Sequence, residues 1–420
     1  MKKSLTIGLF VEHYEPFVSG VISSVRTLKE ELQRRGHKVY IIAPSVRGHQ
    51  DSDPNIIRYA SLSTETLDNT TVGLPNPRIV KRLMKIKFDI IHAEEVYFSA
   101  ALGLHIAHKQ RIPYIQSYHT LWDRFVDQFP LKRRVFAAGA LIALFTYPLI
   151  YGPRASLRLF LGRVKPATNY GYASRWIWRH MLNLGAIADR VVVPSRHLQG
   201  ELSAAGLEQI DYLPNAVKPF TASRPILPPK ITGSLRVLSV ARLSPEKRVE
   251  TLIKAAAKVP QVELIVVGDG PHRPKLEKLA NRQLGRRIRF MGQRENEATR
   301  QLMTAADVLA LASYDFDNQP MVILEALDAG LPIVYCDPKL KEGLTAGNSL
   351  LVDKSADGFA KGFNQLNNEK LRQAMAQASR QLAKGYYVRL ASNKLLSIYG
   401  QAIKARQAGL GRSHARHRTD

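Results

Sequence analysis

A chain of 420 residues has room for two domains, each burying its own core. With 45% hydrophobic and 23% charged residues it has an ordinary globular composition, which excludes wholesale disorder. The 61 basic against 35 acidic residues leave a formal +26, which points to a polyanionic surface, either nucleic acid or anionic lipid, or else to a solvated basic face.

The basic start and apolar residues 5–11 imitate a secretory signal, but the run ends at Glu12 and His13 without a small-residue cleavage site. It reads as a core strand. Residues 5–11, 39–44, 89–93, 112–118 and 188–194 are β-branched and mostly unalternating, as buried parallel strands are. Between the first two, residues 20–36 are amphipathic and end on Gly36, so the chain opens with a βαβ unit. Gly20 stands at the helix start, where backbone can approach a diphosphate or sugar. His119 follows the end of a predicted parallel strand and so faces the crevice where such sheets bind ligands. Glu94 and Glu95, at the mouth of the neighbouring strand, face either an acceptor or solvent.

Residues 121–180 are unusual. Trp122, Phe125 and Phe129 share helical spacing, and Lys132, Arg133 and Arg134 follow at once. Residues 135–152 carry no charge, and Arg154, Arg158, Arg163 and Lys165 then resume the basic run. Arg175, Trp176, Trp178 and Arg179 repeat the pairing of aromatic and arginine. A single membrane crossing would divide one sheet between two sides of a bilayer, so two readings stand: a monotopic or shallow insertion, or a buried helical hairpin with a basic face. The basic and tryptophan flanks favour the bilayer, and Trp122, Phe125, Lys132, Arg133 and Arg134 are its candidate membrane or acceptor contacts.

Five prolines between Pro214 and Pro229 predict a semi-rigid linker through residues 215–234. The strand–helix rhythm then restarts, with strands over 235–240, 262–267, 288–291, 308–311 and 333–335. Arg242 and Lys247, five apart in a loop after a strand, can clamp a diphosphate without a metal, one as a planar fork and one as a point charge. Gly268 lies in a tight turn after the next strand. The single cysteine, Cys336, sits in an apolar strand pattern, so disulfides play no part and a reducing compartment is compatible.

Residues 313–337 read as a strand end, a polar loop, a helix and a second strand. Pro320 suits the first helical position, Asp317 or Asn318 can cap ahead of it, and Gly330 closes the helix. Asn318, Gln319, Pro320 and Met321 bring acceptors and backbone N–H groups to the helix start, a place to hold phosphate. Glu325 lies about 7.5 Å further along the axis, where a carboxylate can accept from a ribose diol. Asp315 and Asp317 spell D-x-D, but Arg242 and Lys247 already supply positive charge, so no metal is expected. No G-x-G-x-x-G follows the first strand, which disfavours a dehydrogenase.

Asp317 to Glu325 resembles the E-x7-E element of retaining glycosyltransferases of family 4. His119 in Tyr118-His-Thr, Arg242 with Lys247 as R-x4-K, Gly268 and Arg294 fall on further motifs of that family. The opening phrase from Tyr14 to Val39 looks like its diacylglycerol glucosyltransferases, with Ser19-Gly20 where many members have Gly-Gly. The resemblance covers nearly the whole chain. It implies an α/β fold of two Rossmann-like domains facing a cleft (GT-B): an N-terminal acceptor domain (1–214) and a C-terminal nucleotide-sugar domain (235–386). A crossover helix (387–407) returns to the first domain, and a basic tail (408–420) follows. It assigns the ribose to Glu325, the transferred sugar to Asp317 and His119, the diphosphate to Arg242 and Lys247, and base contacts to the backbone near Arg294. Asp317 replaces the family's usual glutamate, and the shorter acid bears on which sugar is carried.

The activity so implied is transfer of a hexose with retention, from a nucleoside-diphosphate sugar such as UDP-glucose to a lipid such as diacylglycerol, with no cofactor. The leaving diphosphate assists removal of the acceptor proton. The expected partners are the nucleotide sugar, the lipid acceptor and an anionic membrane, not nucleic acid. The expected location is the cytoplasmic face of the cell membrane, peripheral or monotopic. A polysaccharide or polyprenyl-linked acceptor, or a non-catalytic membrane-binding relative, are the alternatives.

Overall fold

The computed structural model describes residues 4–63, 71–124, 172–220 and 230–409. It divides into one unit of residues 1–214 with 391–420, and another of residues 215–390.

The first unit is built on a seven-stranded sheet: β1 (Thr6–Phe10), β2 (Lys38–Pro44), β3 (Ile56–Tyr59), β6 (Ile90–Ala93), β7 (Tyr114–Ser117), β8 (Arg190–Val193) and β9 (Ile210–Tyr212). The order is β3-β2-β1-β6-β7-β8-β9 and every pairing is parallel. An antiparallel pair, β4 (Ser61–Ser63) with β5 (Thr71–Gly73), forms a separate small sheet packed beside it. All five strands expected from apolar runs form. The reason they do not alternate is visible in the core: Ile7, Leu9, Ile41 and Ile115 pack on one face, and Phe10, Ile42, Ile91 and Tyr114 on the other. A strand covered on both sides is apolar at every position. The helix Gly20–Arg34 starts where expected, and the Ser19 hydroxyl caps it by accepting from the Ile22 N–H at 3.2 Å.

The helix Tyr172–Ile187 belongs to this core. Ile177, Trp178, Met181, Leu182 and Leu184 are buried. Trp122 is buried as well, with its ring edge-to-face against Tyr97 at 4.9 Å. This corrects the sequence expectation that Trp122 faces a membrane: its indole, like that of Trp178, fills the protein's own interior, where a large ring gains most from leaving water. Phe125, Lys132, Arg133, Arg134 and the uncharged 135–152 lie outside the described residues. Among the described residues no helix is long and apolar enough to cross a membrane.

The helix Val388–Gln407 returns to the first unit, where Leu395, Ile398, Tyr399 and Ala402 are buried with Ile7, Leu9 and Ile115. Arg406 donates to Asp189 at 2.9 Å, and Tyr399 donates or accepts at His92 Nδ1 at 2.7 Å.

The second unit has a six-stranded parallel sheet of β10 (Leu235–Val240), β11 (Val262–Val267), β12 (Ile288–Phe290), β13 (Val308–Leu311), β14 (Ile333–Tyr335) and β15 (Ser349–Leu351). Its order is β12-β11-β10-β13-β14-β15, with a switch between β10 and β13. Val217, expected in the linker, joins this unit: it is buried and bridges to Tyr387. The helix Met321–Ala329 buries six of its nine residues and ends on Gly330 at φ 74°, the left-handed cap that glycine favours. Its start differs from expectation. Pro320 is the N-cap, with extended backbone at ψ 127°, not the first helical residue, and no side chain caps the helix. The Asp317 carboxylate is instead committed elsewhere, to Lys247 and Ser313.

Candidate active site

In a parallel sheet the loops beyond the strand C-termini at the switch point frame the ligand crevice. In the second unit those loops follow β10 and β13. The first turns through Pro245–Lys247 as a short 3-10 helix, which brings the Lys247 ammonium to Asp317 Oδ1 at 2.6 Å and over the Phe316 ring at 4.9 Å. The Ser313 hydroxyl donates to the other oxygen of Asp317 at 2.6 Å. Asp315, which sits at φ 51°, takes Lys339 at 2.6 Å, and its N–H donates to Asp337 at 2.8 Å. Each carboxylate of the D-x-D is therefore matched by a lysine.

Beside them, Gly268 has φ 134°, and a Cβ there would fall 1.9 Å from the Ala241 carbonyl oxygen. Its N–H donates to the Gly292 carbonyl at 2.9 Å. Three loops that carry Arg242, Gly268 and Arg294 are thereby meshed through backbone, with the Arg242 and Arg294 side chains exposed. Only glycine permits that approach.

Glu325 is 7% exposed, not a solvated helix residue, and accepts from Asn296 Nδ2 at 2.6 Å. Burial pushes its carboxyl above the usual range, against the lowering pull of Asn296 and Arg300. Asn296, the first residue of the helix Asn296–Thr304, was not singled out from sequence, because nothing local links positions 29 residues apart. Asn318 and Gln319 are buried, and Gln319 Oε1 accepts the Asn215 N–H at 2.7 Å. Met321 packs in the core. Gln319 and Met321 thus hold the loop from inside.

In the first unit the switch lies between β1 and β6. Gly20 is exposed at the helix start. His119, two residues beyond β7, meets Glu94 Oε2 through Nε2 at 2.8 Å. Glu94 and Glu95 are buried rather than solvated, at 2% and 6% exposure. Glu95 accepts the Glu12 N–H at 2.6 Å and the His13 N–H at 3.1 Å, which occupies it in shaping the loop after β1. Glu12, sealed beneath, accepts the Ser99 N–H at 2.9 Å, and burial raises its carboxyl above the usual range.

Comparison with known proteins gives this arrangement a context. Residues 18–219 match the family model described as Glycosyltransferase Family 4, and residues 228–382 that described as Glycosyl transferases group 1. An alpha-monoglucosyldiacylglycerol synthase of Acholeplasma laidlawii is 26% identical over 338 residues, 79% of this chain and 80% of that one. A protein of the same description from Streptococcus pneumoniae is 28% identical over 370 residues, 86% of this chain and 76% of that one. Among solved structures, Anabaena Alr3699/HepE in complex with UDP and glucose has a TM-score of 0.65 at 17% identity, covering 94% of this chain and 100% of that chain. That last likeness is one of fold.

Proposed function

The chain belongs to the GT-B glycosyltransferases that pair a family 4 domain with a group 1 domain, and we propose that it moves a hexose from a nucleoside-diphosphate sugar, UDP-glucose first, onto a membrane lipid, diacylglycerol first, with retention. The observation that carries this reading is the joining of Lys247 and Asp317 across the switch point of the second sheet, beside the buried Glu325. A cation for phosphate and an acid for sugar hydroxyls stand on joined loops of one unit, and an acid for a ribose diol on the helix that follows the second of them. Glucose and diacylglycerol are favoured because the two relatives described above are monoglucosyldiacylglycerol synthases.

In this reading Arg242 and Lys247 neutralise the diphosphate, Glu325 accepts from the ribose, and Asp317 and His119 orient the sugar. The acceptor oxygen bonds to the anomeric carbon as the bond from that carbon to the diphosphate breaks. The departing phosphate oxygen takes the acceptor's proton. Positive charge on Arg242 and Lys247 stabilises the leaving group as its charge grows, so no metal is required. The +26 charge suits a peripheral or monotopic protein at an anionic membrane, and the cytoplasmic face is where a nucleotide sugar would be met.

The test is incubation with a panel of UDP- and GDP-sugars and vesicles containing diacylglycerol, followed by mass spectrometry of the lipids. A hexosyl-diacylglycerol is expected. Nucleotide release that never yields glycolipid would overturn the lipid acceptor, and no turnover of any sugar nucleotide would overturn the enzyme.

A further inference from the structure

His119 is held from behind by a buried chain of side chains that no motif describes. Its Nε2 meets Glu94 Oε2 at 2.8 Å, and Glu94 Oε1 faces His92 Nδ1 at 3.5 Å. His92 in turn meets the Tyr399 hydroxyl through Nδ1 and the Ser117 hydroxyl through Nε2, both at 2.7 Å. Glu94 and His92 are 2% and 1% exposed, so neither side chain is free to swing. The Glu94 N–H donates to the Phe10 carbonyl at 2.9 Å, which fixes the loop that carries it to the end of β1.

Charge decides the roles in this chain. Burial alone would raise the Glu94 carboxyl, yet His92, His119 and the Ser117 hydroxyl together hold it below its usual range, so it is a carboxylate. An ionised carboxylate only accepts. The proton in the short contact with His119 therefore belongs to the imidazole Nε2. Burial pushes His92 below its usual range, against the opposing pull of Glu94, which it faces at 3.5 Å. In a neutral His119, a proton on Nε2 leaves Nδ1 as the lone-pair atom.

We propose that Glu94 is a positioning residue: through its 2.8 Å contact with Nε2 it fixes the ring plane and the tautomer of His119, with the proton held on Nε2. This rests on the reading of His119 as a contact of the transferred sugar. Glu94 touches no reacting atom itself; its effect passes through the ring. The sequence places Glu94 at a strand mouth, but its pairing with a side chain 25 residues away is a product of the β6–β7 register, in which His92 lies beside Ile115.

The deciding measurement is NMR of the full chain labelled with nitrogen-15 histidine. The wild type is expected to show a low-field, slowly exchanging N–H on Nε2 of His119, assigned by its absence in His119→Phe. In Glu94→Gln that signal should move upfield and exchange freely with water. In Tyr399→Phe, which removes a buried hydroxyl from the same chain but not the carboxylate, it should stay. Should Glu94→Gln fail to fold, Glu94→Asp serves: it keeps the charge and should keep the protected proton. A proton found on Nδ1, or a signal unchanged in Glu94→Gln, overturns the proposal. Turnover is read alongside, with kcat expected to fall about 100-fold in Glu94→Gln and the KM for sugar nucleotide little changed. A wild type that transfers no sugar would sink the reading of His119 as a sugar contact, while the ring spectrum would still decide the role of Glu94.

Discussion

Lys247 and Asp317, 70 residues apart in the chain, share a 2.6 Å ion pair that joins the loop after β10 to the loop after β13. The ammonium is already desolvated on the Phe316 side and the acid already oriented by Ser313, so neither must be ordered when a donor arrives. Lys247→Ala should lower kcat/KM for the sugar nucleotide by about 100- to 1000-fold, the scale of losing one preorganised charge on a developing anion. The unfolding midpoint should hardly move, because a part-exposed pair adds little to stability. Steady-state kinetics and thermal denaturation measure the two effects separately.

If those cations carry the leaving group, chelation is without consequence. Transfer assayed in excess EDTA is expected to equal transfer with added Mg²⁺ or Mn²⁺. Activity abolished by EDTA and restored by one of these ions would assign the D-x-D of Asp315 and Asp317 to a metal and sink the metal-free reading.

Asn296 Nδ2 donates to Glu325 Oε1 at 2.6 Å and so aims the carboxyl group. Asn296→Ala should raise the dissociation constant of UDP roughly 10-fold, since a buried acid that loses this neutral donor is less well aimed. Glu325→Gln should weaken UDP at least as much, while Asn296 keeps an oxygen to bond. Isothermal titration with UDP reads both. Equal affinity in all three proteins would remove Glu325 from the ribose.

Asp123 is 1% exposed, and burial pushes its carboxyl up to about 6 against the lesser pull of Arg124. A raised native pKa means that the folded state binds the proton more tightly, so stability falls as pH rises from about 4 to about 6 and stays lower above. Ionised Asp123 therefore costs about 3 kcal/mol at neutral pH. Asp123→Asn should raise the unfolding temperature at pH 7.5 and lose that advantage near pH 4. An advantage that does not shrink with acid would refute the burial of an ionised carboxylate there.

Gly268→Ala places a methyl against the Ala241 carbonyl at a backbone angle that L-residues avoid. A cost of about 2 kcal/mol in chemical denaturation is expected from strain of this kind, with weaker UDP binding because the three loops separate. A variant as stable as the parent would show that the loops yield without loss.

The sheets were legible because burial on both faces writes itself into sequence. β10, β11, β13 and β14 begin and end where their apolar runs do. β3, β9 and β15 were not legible: Ile-Ile-Arg-Tyr, Ile-Asp-Tyr and Ser-Leu-Leu are short edge segments that become strands only by pairing. The same division runs through the candidate site. Lys247, Asp317 and Glu325 stand out by spacing, whereas Asn296 and the tie between His119 and Glu94 depend on which loops the topology makes neighbours. Trp122 misled because aromatic residues beside a basic run look alike whether the ring faces lipid or core; only the ring of Tyr97 against it decides.

The return of the helix Val388–Gln407 has a bearing on how the protein is made. Leu395, Ile398, Tyr399 and Ala402 are needed to cover one face of the sheet that begins at Thr6, yet they leave the ribosome only after the whole of the second unit. The usual vectorial order, in which the first domain is finished first, is thus reversed. The β1 face must wait, exposed or sheltered by a chaperone, while residues 215–390 emerge and fold. A ribosome that stalls anywhere before Leu395 releases a chain whose first unit is still open.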